Sequence, residues 1–455
     1  MRRSFGGLLL VAGCASAPMP GVDARAGSGW IDAGPMIGHV SDREARVWVR
    51  PREGVELAVV AAQDGLPLAP RVEVLGGGCR RVVLGGLRPS LPVEVTLRDA
   101  RATDSVGAET VRFSTAPPPS RRGRVRIACG SCIDDGEHGP VPVLGAAAAE
   151  RPDLFLFLGD NCYYVRGAAD PEHYFSTSGD DGEWSSKETM LARQLFTRRG
   201  AHLAELARTT PCYATWDDHD YGPNNSDSTF PRKEDALLVF RAVWANPSYG
   251  TEAHPGVFTS FRRGPVEVFL LDGRFHRTPE GVPDERAAIW GERQLAWLLE
   301  GLERSDAPVK VVANGTQMIF KGKKDDGHWH TARREYYRFL DGLEERGIDG
   351  VVLLSGDRHY SELMRIELED GRSLYELTSS PLQQGREIGP RKEKNRTRVW
   401  GLEGNSYGLL TVDVGEDGDG TVTFECRDAA NEVPVIDGAP VRTVVELAEL
   451  RSRGE

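Results

Sequence analysis

Apolar runs of four to six residues, most of them closed by glycine, aspartate or asparagine, recur along the larger, later part of the chain, at 124–129, 153–158, 213–216, 266–271, 309–313 and 350–354. Runs this short and this continuous predict strands covered on both faces. Between them, 187–209, 233–246, 292–304 and 331–346 carry apolar residues at helical spacing. Further strands are expected at 374–377, 409–414 and 421–426. Strand, loop and helix in this order predict an α/β domain with sheets sandwiched between helices. The stretches 165–186, 321–330 and 385–400 are long, polar and irregular, as lids or rims over a site often are.

The earlier part has another character. Short β-prone segments at 45–50, 56–61, 71–75, 81–84, 93–97 and 109–113, separated by Gly, Pro and Asp turns, predict a small all-β sandwich. Nothing in it points to chemistry. A proline-rich stretch then acts as a stiff linker. The expected division is 1–29 leader and tether, 30–117 sandwich, 118–123 linker and 124–455 α/β domain.

Composition narrows the function. With 455 residues the chain exceeds one ordinary domain. A net charge of −12 argues against a nucleic-acid surface, because phosphate backbones are held by cations. It does not argue against a small phosphorylated substrate, since a bound metal reverses the local field. No apolar run reaches the roughly 18 residues of a membrane span. The N-terminus does read as a leader: Arg2 and Arg3, a short apolar stretch, then Val11-Ala12-Gly13-Cys14, resembling a bacterial lipobox. On that reading the protein is exported and held at the cell envelope by lipid on Cys14; the alternative is a frayed hydrophobic tail. The seven cysteines show no repeated paired spacing, so they are not a disulfide scaffold. Cys129 and Cys132 match CxxC, but the residues after them read as loop, and no second pair completes a zinc site.

The densest chemistry lies at Asp217, Asp218, His219 and Asp220, between β-prone 213–216 and the turn at Gly222-Pro223. Carboxylates this crowded repel unless a cation compensates them, and hard oxygen donors suit a divalent or trivalent ion. The alternative is a solvated acidic turn. The other strand ends favour the metal: Cys132, then Gly159-Asp160 with Tyr163, then Asp272 and Arg274, then Asn314 and Gln317, then Gly356-Asp357-Arg358-His359. Taken singly, each of these is an ordinary turn, ion pair or cap. Six such ends in one α/β domain, where ligands collect beyond strand C-termini, predict a dinuclear site with a shared aspartate and a histidine for proton transfer.

Trp216-Asp217-Asp218-His219-Asp220-Tyr221-Gly222 and Ser355-Gly356-Asp357-Arg358-His359, with Gly159-Asp160 and Tyr163 in support, resemble a PhoD-type alkaline phosphatase of the calcineurin-like metallophosphoesterase superfamily. The likeness runs from Arg124 to about Val414, and the sandwich resembles that family's N-terminal fibronectin-like domain. The resemblance implies a four-layer αββα domain. It also implies an Fe(3+) site of Cys132, Asp160, Tyr163 and His359. A Ca(2+) site would use bridging Asp160 with Asp218 and Asp357, helped by Asp217 or Asn225. Which amide completes it stays open among Asn225, Asn314 and Gln317. His219 matches the residue that protonates the leaving group and Asp220 its orienting carboxylate; Arg358 and Arg274 are candidates for phosphate oxygens. Cys129 and Cys162 receive no role, and in an oxidising compartment a disulfide from either to Cys132 would remove a ligand. The activity implied is hydrolysis of small-molecule or polymer phosphate esters, with no protein partner. Two rivals remain: a diesterase acting on polymer or lipid phosphodiesters, and a non-catalytic calcium-binding surface lipoprotein, which would have no use for His219.

Overall fold

A computed structural model describes residues 29–102, 107–164, 186–322, 327–384 and 394–452. The alternation inside the apolar runs explains the layers. In Leu154–Leu158 every residue is buried; Leu154, Leu156 and Leu158 face one core, and Phe155 and Phe157 another. Val352 and Leu354 likewise oppose Val351 and Leu353. Since neighbouring strand residues point to opposite faces, a run apolar throughout must be covered twice.

Two sheets share the middle core. The first has the order Cys212–Thr215, Leu154–Leu158, Gly123–Gly130, Tyr407–Val414, Gly420–Arg427, Arg442–Glu446. Its first three strands are parallel and the rest antiparallel. The second runs Thr259–Arg263, Val266–Leu270, Val309–Ala313, Val351–Ser355, Ser373–Thr378, Ser361–Glu367, Arg398–Leu402. Helices Pro142–Glu150, Lys187–Arg199, Ala201–Thr209 and Lys233–Val243 cover the outer face of the first sheet. Gly291–Arg304 and Arg333–Glu345 cover the second. The domain is a four-layer αββα sandwich.

Some elements differ from the pattern. The helix expected over 187–209 breaks at Gly200, whose ψ of 128° is not helical. Pro142–Glu150 is an additional helix, its small Ala-rich face giving weak periodicity and its proline sitting at the helix start, where a missing N–H costs nothing. Thr259–Arg263, Ser361–Glu367, Arg398–Leu402 and Arg442–Glu446 are strands the pattern did not mark. Mixed polarity hides them, as in Ser361–Glu367, where Glu362 is buried and Arg365 exposed. Position 398 onward is therefore strand, not irregular rim. The leader, including Cys14, and most of 165–186 and 385–400 lie outside the described residues.

The N-terminal part forms two four-stranded antiparallel sheets, Ile31–Val40, Glu44–Pro51, Arg80–Gly85, Arg71–Val74 and Leu66–Leu68, Leu57–Gln63, Pro92–Asp99, Glu109–Ser114. This is an Ig-like sandwich. Its first sheet also uses its second face: Ala33, Met36, Trp48 and Cys79 join the core built on the helices of the α/β domain. Trp48 Nε1 donates to the Ala242 carbonyl at 2.8 Å, and Val40 N donates to the Tyr213 hydroxyl at 2.9 Å.

His39 lies in this junction, buried, its Nδ1 3.4 Å from the Tyr213 hydroxyl and its ring against Tyr213 and Phe261. Burial, with the nearby charge of Arg46, pushes its pKa down to about 3. An unfolded histidine protonates near 6.5, so between those values the unfolded chain holds a proton that the folded chain does not. The contribution of neutral His39 is thus complete above pH 6.5 and lost as pH falls towards 3. Urea unfolding at stepped pH should show stability falling with acid in that window, and His39→Gln should flatten the slope; an unchanged slope would refute it.

Candidate metal centre

Loops from the C-terminal ends of both sheets meet at one place. Close approach is possible because glycines stand there: a Cβ on Gly159 would lie 2.6 Å from Asp217 Cβ, and one on Gly356 2.6 Å from the Leu158 carbonyl oxygen. Cys132, Asp160, Asn225, Asp357 and His359 have φ of 49–74°, half of the ten described non-glycine residues with positive φ. Such backbone costs about 1–3 kcal/mol a residue and persists where the surroundings over-determine it, which is typical of functional sites.

Three overlapping donor groups result. Ligand atoms of Cys132, Asp160 and His359 lie within 4.8 Å of one another; so do those of Asp160, Asp218 and His219, and those of Asp217, Asp218 and Asp357. Tyr163 joins the first group, its hydroxyl 3.3 Å from Asp160 Oδ2 and 3.2 Å from His359 Nε2. Asp160 is the hinge of the whole, accepting the His219 N–H on Oδ1 at 3.1 Å while Oδ2 faces Tyr163 and Cys132.

The electrostatics call for a cation. Burial, then the charges of Asp218, Asp217, Asp220 and Asp357, push the Asp160 carboxyl well above the usual range. Burial and the Asp160 charge do the same to the Cys132 thiol. For Asp218 burial acts upward, but His219, Arg274 and the Asn225 N–H outweigh it and hold the carboxyl below its ordinary value. Asp218 Oδ1 is buried without a hydrogen bond. A buried carboxylate oxygen in that state, beside a thiol, a phenol, an imidazole and further carboxylates, fits metal ions, which also deprotonate a coordinating thiol.

The family model for PhoD-like phosphatases matches residues 127–405. The chain belongs to the PhoD-like phosphatase family. It is a metal-dependent phosphatase. It superposes on the structure of PhoD with a TM-score of 0.72 at 16% identity, over 90% of this chain and 94% of that one. The purple acid phosphatase PPD1 from yellow lupin (Lupinus luteus) seeds gives 0.59 at 11% identity, over 90% of this chain and 73% of the other. At these identities the two likenesses carry the fold. No curated protein sequence matches the chain.

Several members of the predicted site take positions that the pattern did not foresee. Arg274 cannot meet substrate as a phosphate clamp: its side chain is fully buried, with Nε on Asp217 Oδ1 at 2.6 Å and Nη2 on Thr316 Oγ1 at 3.2 Å. Asp217 is accordingly held from behind by Arg274 and by the Thr316 hydroxyl at 3.1 Å. Asp220 does not orient the His219 ring. It accepts the N–H groups of Asp160, Asn161 and Asp217 and the Asn161 amide, so it ties two loops together. Burial pushes its pKa up to about 7 against those N–H groups. Asn314 is spent in the framework, on the Thr316 carbonyl and Trp290, whereas Gln317 gives only its amide nitrogen, to Glu362 and Thr378, and its Oε1 is buried without a hydrogen bond. Exposed Asn225 gives its backbone N–H to Asp218 at 2.7 Å. Arg358 is half-buried, with its guanidinium 5.1 Å from the Phe320 ring and 5.6 Å from the Tyr360 ring. Cys129, Cys162 and Cys212 are buried free thiols, and Cys129 belongs to the core between the sheets.

Two contributors are absent from the sequence reading. Ser380 donates to Cys132 Sγ at 3.3 Å and accepts the His359 N–H at 2.9 Å; it follows the strand expected at 374–377, so reading that strand's end as well would have found it. Gln384 brings its amide to 3.5 Å from both Tyr163 and His359, from a loop with no signal.

Arg274→Met should destabilise the metal-free protein by about 3–5 kcal/mol, because it leaves Asp217 charged and buried without its partner. Denaturant unfolding measures this, and adding Asp217→Asn should recover part of the loss. A neutral Arg274→Met would contradict the ion-pair assignment.

Proposed function

We propose that this phosphatase is an exported, lipid-anchored phosphoric ester hydrolase with a dinuclear centre of iron(III) and calcium. The observation that carries the reading is the division of donors about Asp160, with a thiol, a phenol and an imidazole on one side and carboxylates on the other. Cys132, Asp160, Tyr163 and His359 would hold the iron; soft and phenolic donors suit it better than calcium. Asp160, Asp218 and Asp357 would hold the calcium, with Asn225 or Gln317 as the amide that completes the set. When bound, the ions supply Lewis acidity and neutralise charge developing on phosphoryl oxygens.

The chain's own groups do the rest. His219 is half-exposed, its ring centroid 4.4 Å from that of Tyr163, and its backbone is fixed by Asp160. From there it would give a proton to the leaving-group oxygen. Arg358, next to Asp357 and His359 and steadied by two aromatic rings, would donate N–H bonds to the phosphoryl group. Substrates would be small or polymeric phosphate esters, with no nucleic-acid or protein partner.

Elemental analysis with turnover on a phosphate monoester and a matched diester tests the proposal. Turnover on either that follows iron and calcium content supports hydrolysis and ranks the two ester classes. Metal-dependent stability without turnover would instead fit a calcium-binding surface lipoprotein. His219→Ala should lower turnover by about 10²–10⁴-fold, the usual span for general acid catalysis. Metal content should hold, and the loss should shrink with better leaving groups; equal loss across the series, with metal lost, would make His219 a ligand.

Iron-loaded protein should be coloured through the phenolate of Tyr163 and bleached by a strong reductant. Tyr163→Phe should remove most of the colour, Cys132→Ser should shift it or release the iron, and Cys129→Ser should do neither. Colourless, iron-free protein after loading would end the iron assignment. Export rests on Val11–Cys14: mass spectrometry of the native protein should find an acylated Cys14 as the mature N-terminus. An unlipidated start elsewhere would refute it.

A further inference from the structure

Cys132 and Tyr163 stand on different loops, yet one side chain grips both. Arg193, on helix Lys187–Arg199, is fully buried. Its Nε donates to the Tyr163 carbonyl at 3.1 Å. Its Nη2 pairs with Asp135 Oδ1, three residues beyond Cys132. The third nitrogen, Nη1, donates to Thr197 Oγ1 at 3.0 Å, and that hydroxyl donates to the same Asp135 oxygen at 3.2 Å. At their near ends the two loops are already joined, Cys132 N to the Gly159 carbonyl at 3.3 Å and Ile133 N to the Asp160 carbonyl at 2.8 Å. Arg193 closes the far ends.

We propose that Arg193 is a positioning residue which, by clamping Asp135 to the Tyr163 backbone, sets the separation of the Cys132 thiol and the Tyr163 phenol and so the occupancy of the site they form. The inference rests on the reading of those two side chains as metal donors. Burying a guanidinium and a carboxylate contributes little net stability compared with apolar packing of the same volume. A planar fork with its nitrogens committed in three directions instead fixes geometry. The helix that carries it is itself fixed. Ser186 caps its start through the Thr189 N–H at 3.2 Å, and Gln194 holds the Tyr164 hydroxyl at 3.3 Å.

The test uses full-length Arg193→Lys, which keeps the charge but not the fork, and Asp135→Asn, which keeps the shape but not the charge. Each is titrated with iron(III) alone and followed by visible absorption and retained iron; urea unfolding of the metal-free proteins runs in parallel. Iron affinity about 10–100-fold weaker, as is usual when groups supporting metal ligands are lost, with a shifted band in a variant that still unfolds cooperatively, supports the clamp. Unchanged affinity and band, with only stability lowered, would overturn it as mere structural packing. If Arg193→Lys does not fold, Asp135→Asn decides between the same two outcomes. Wild-type protein that retains no iron, and matches Tyr163→Phe, would bring down the metal reading itself, and the clamp with it.

Discussion

Everything at this site follows from the crowding of four buried aspartates, with half-buried Asp357 beside them, at the ends of facing sheets. Negative charge in a water-poor interior is unfavourable unless each group is answered. The answers are graded. Asp217 has a guanidinium and a hydroxyl, and Asp220 has backbone N–H groups and an amide. Asp218 has the Asn225 N–H on one oxygen, while on the other Arg274 comes no closer than 4.0 Å. Asp160 has the Tyr163 hydroxyl, the His219 N–H and the Cys132 thiol beside it, with the Asp218 carboxyl close by. Asp220 is therefore framework, while Asp160, Asp217 and Asp218 keep oxygens within the candidate donor groups. Those clustered oxygens mark where cations belong.

The same crowding explains the backbone. Strand ends from two sheets can bring carboxylates this close only if the chain turns sharply straight after each strand. Gly159 and Gly356 permit that approach because no side chain fits between the loops. Cys132, Asp160, Asp357 and His359 then adopt left-handed conformations, uncommon for any residue but glycine and least expected of cysteine. The strain is tolerable because the strands behind are buried on both faces and cannot yield.

Those doubly buried strands are also why the fold was legible. Leu154–Leu158 and Val351–Ser355 announce themselves, and their ends point to Asp160 and His359. What the sequence does not carry is the partner of each side chain. Asp217 and Asp218 are neighbours with the same chemistry; only the arrival of Arg274 from the other sheet gives Asp217 a close ion pair that Asp218 lacks. Asp220 next to His219 suggests a pair, yet the carboxylate turns to Asp160 and Asn161 instead. Spacing places residues at a strand end, but it does not say which way they face once there. Arg193 is harder still, since a charged residue within an amphipathic helix is ordinarily on the solvent side.

The β-sandwich has no chemistry of its own, but it lies against the helix that carries Arg193. Leu191 of that helix meets Gly77, where an added Cβ would collide with Leu191 Cδ2. Arg199 reaches Asp32 at 2.7 Å, and Arg198 sits 4.3 Å from the Trp244 ring and 5.8 Å from Trp48 of the sandwich. Arg198 also holds Gln194, which holds the hydroxyl of Tyr164, the residue after Tyr163. A sandwich attached by a mere tether would leave these contacts to solvent, and the helix would be free to settle elsewhere. Here Trp48, Met36 and Cys79 belong to the same core as Phe157 and Trp216, so the sandwich completes the outer layer that holds the Tyr163 loop. The smaller domain supports the helix behind the site, which gives a physical reason for a phosphatase to carry it.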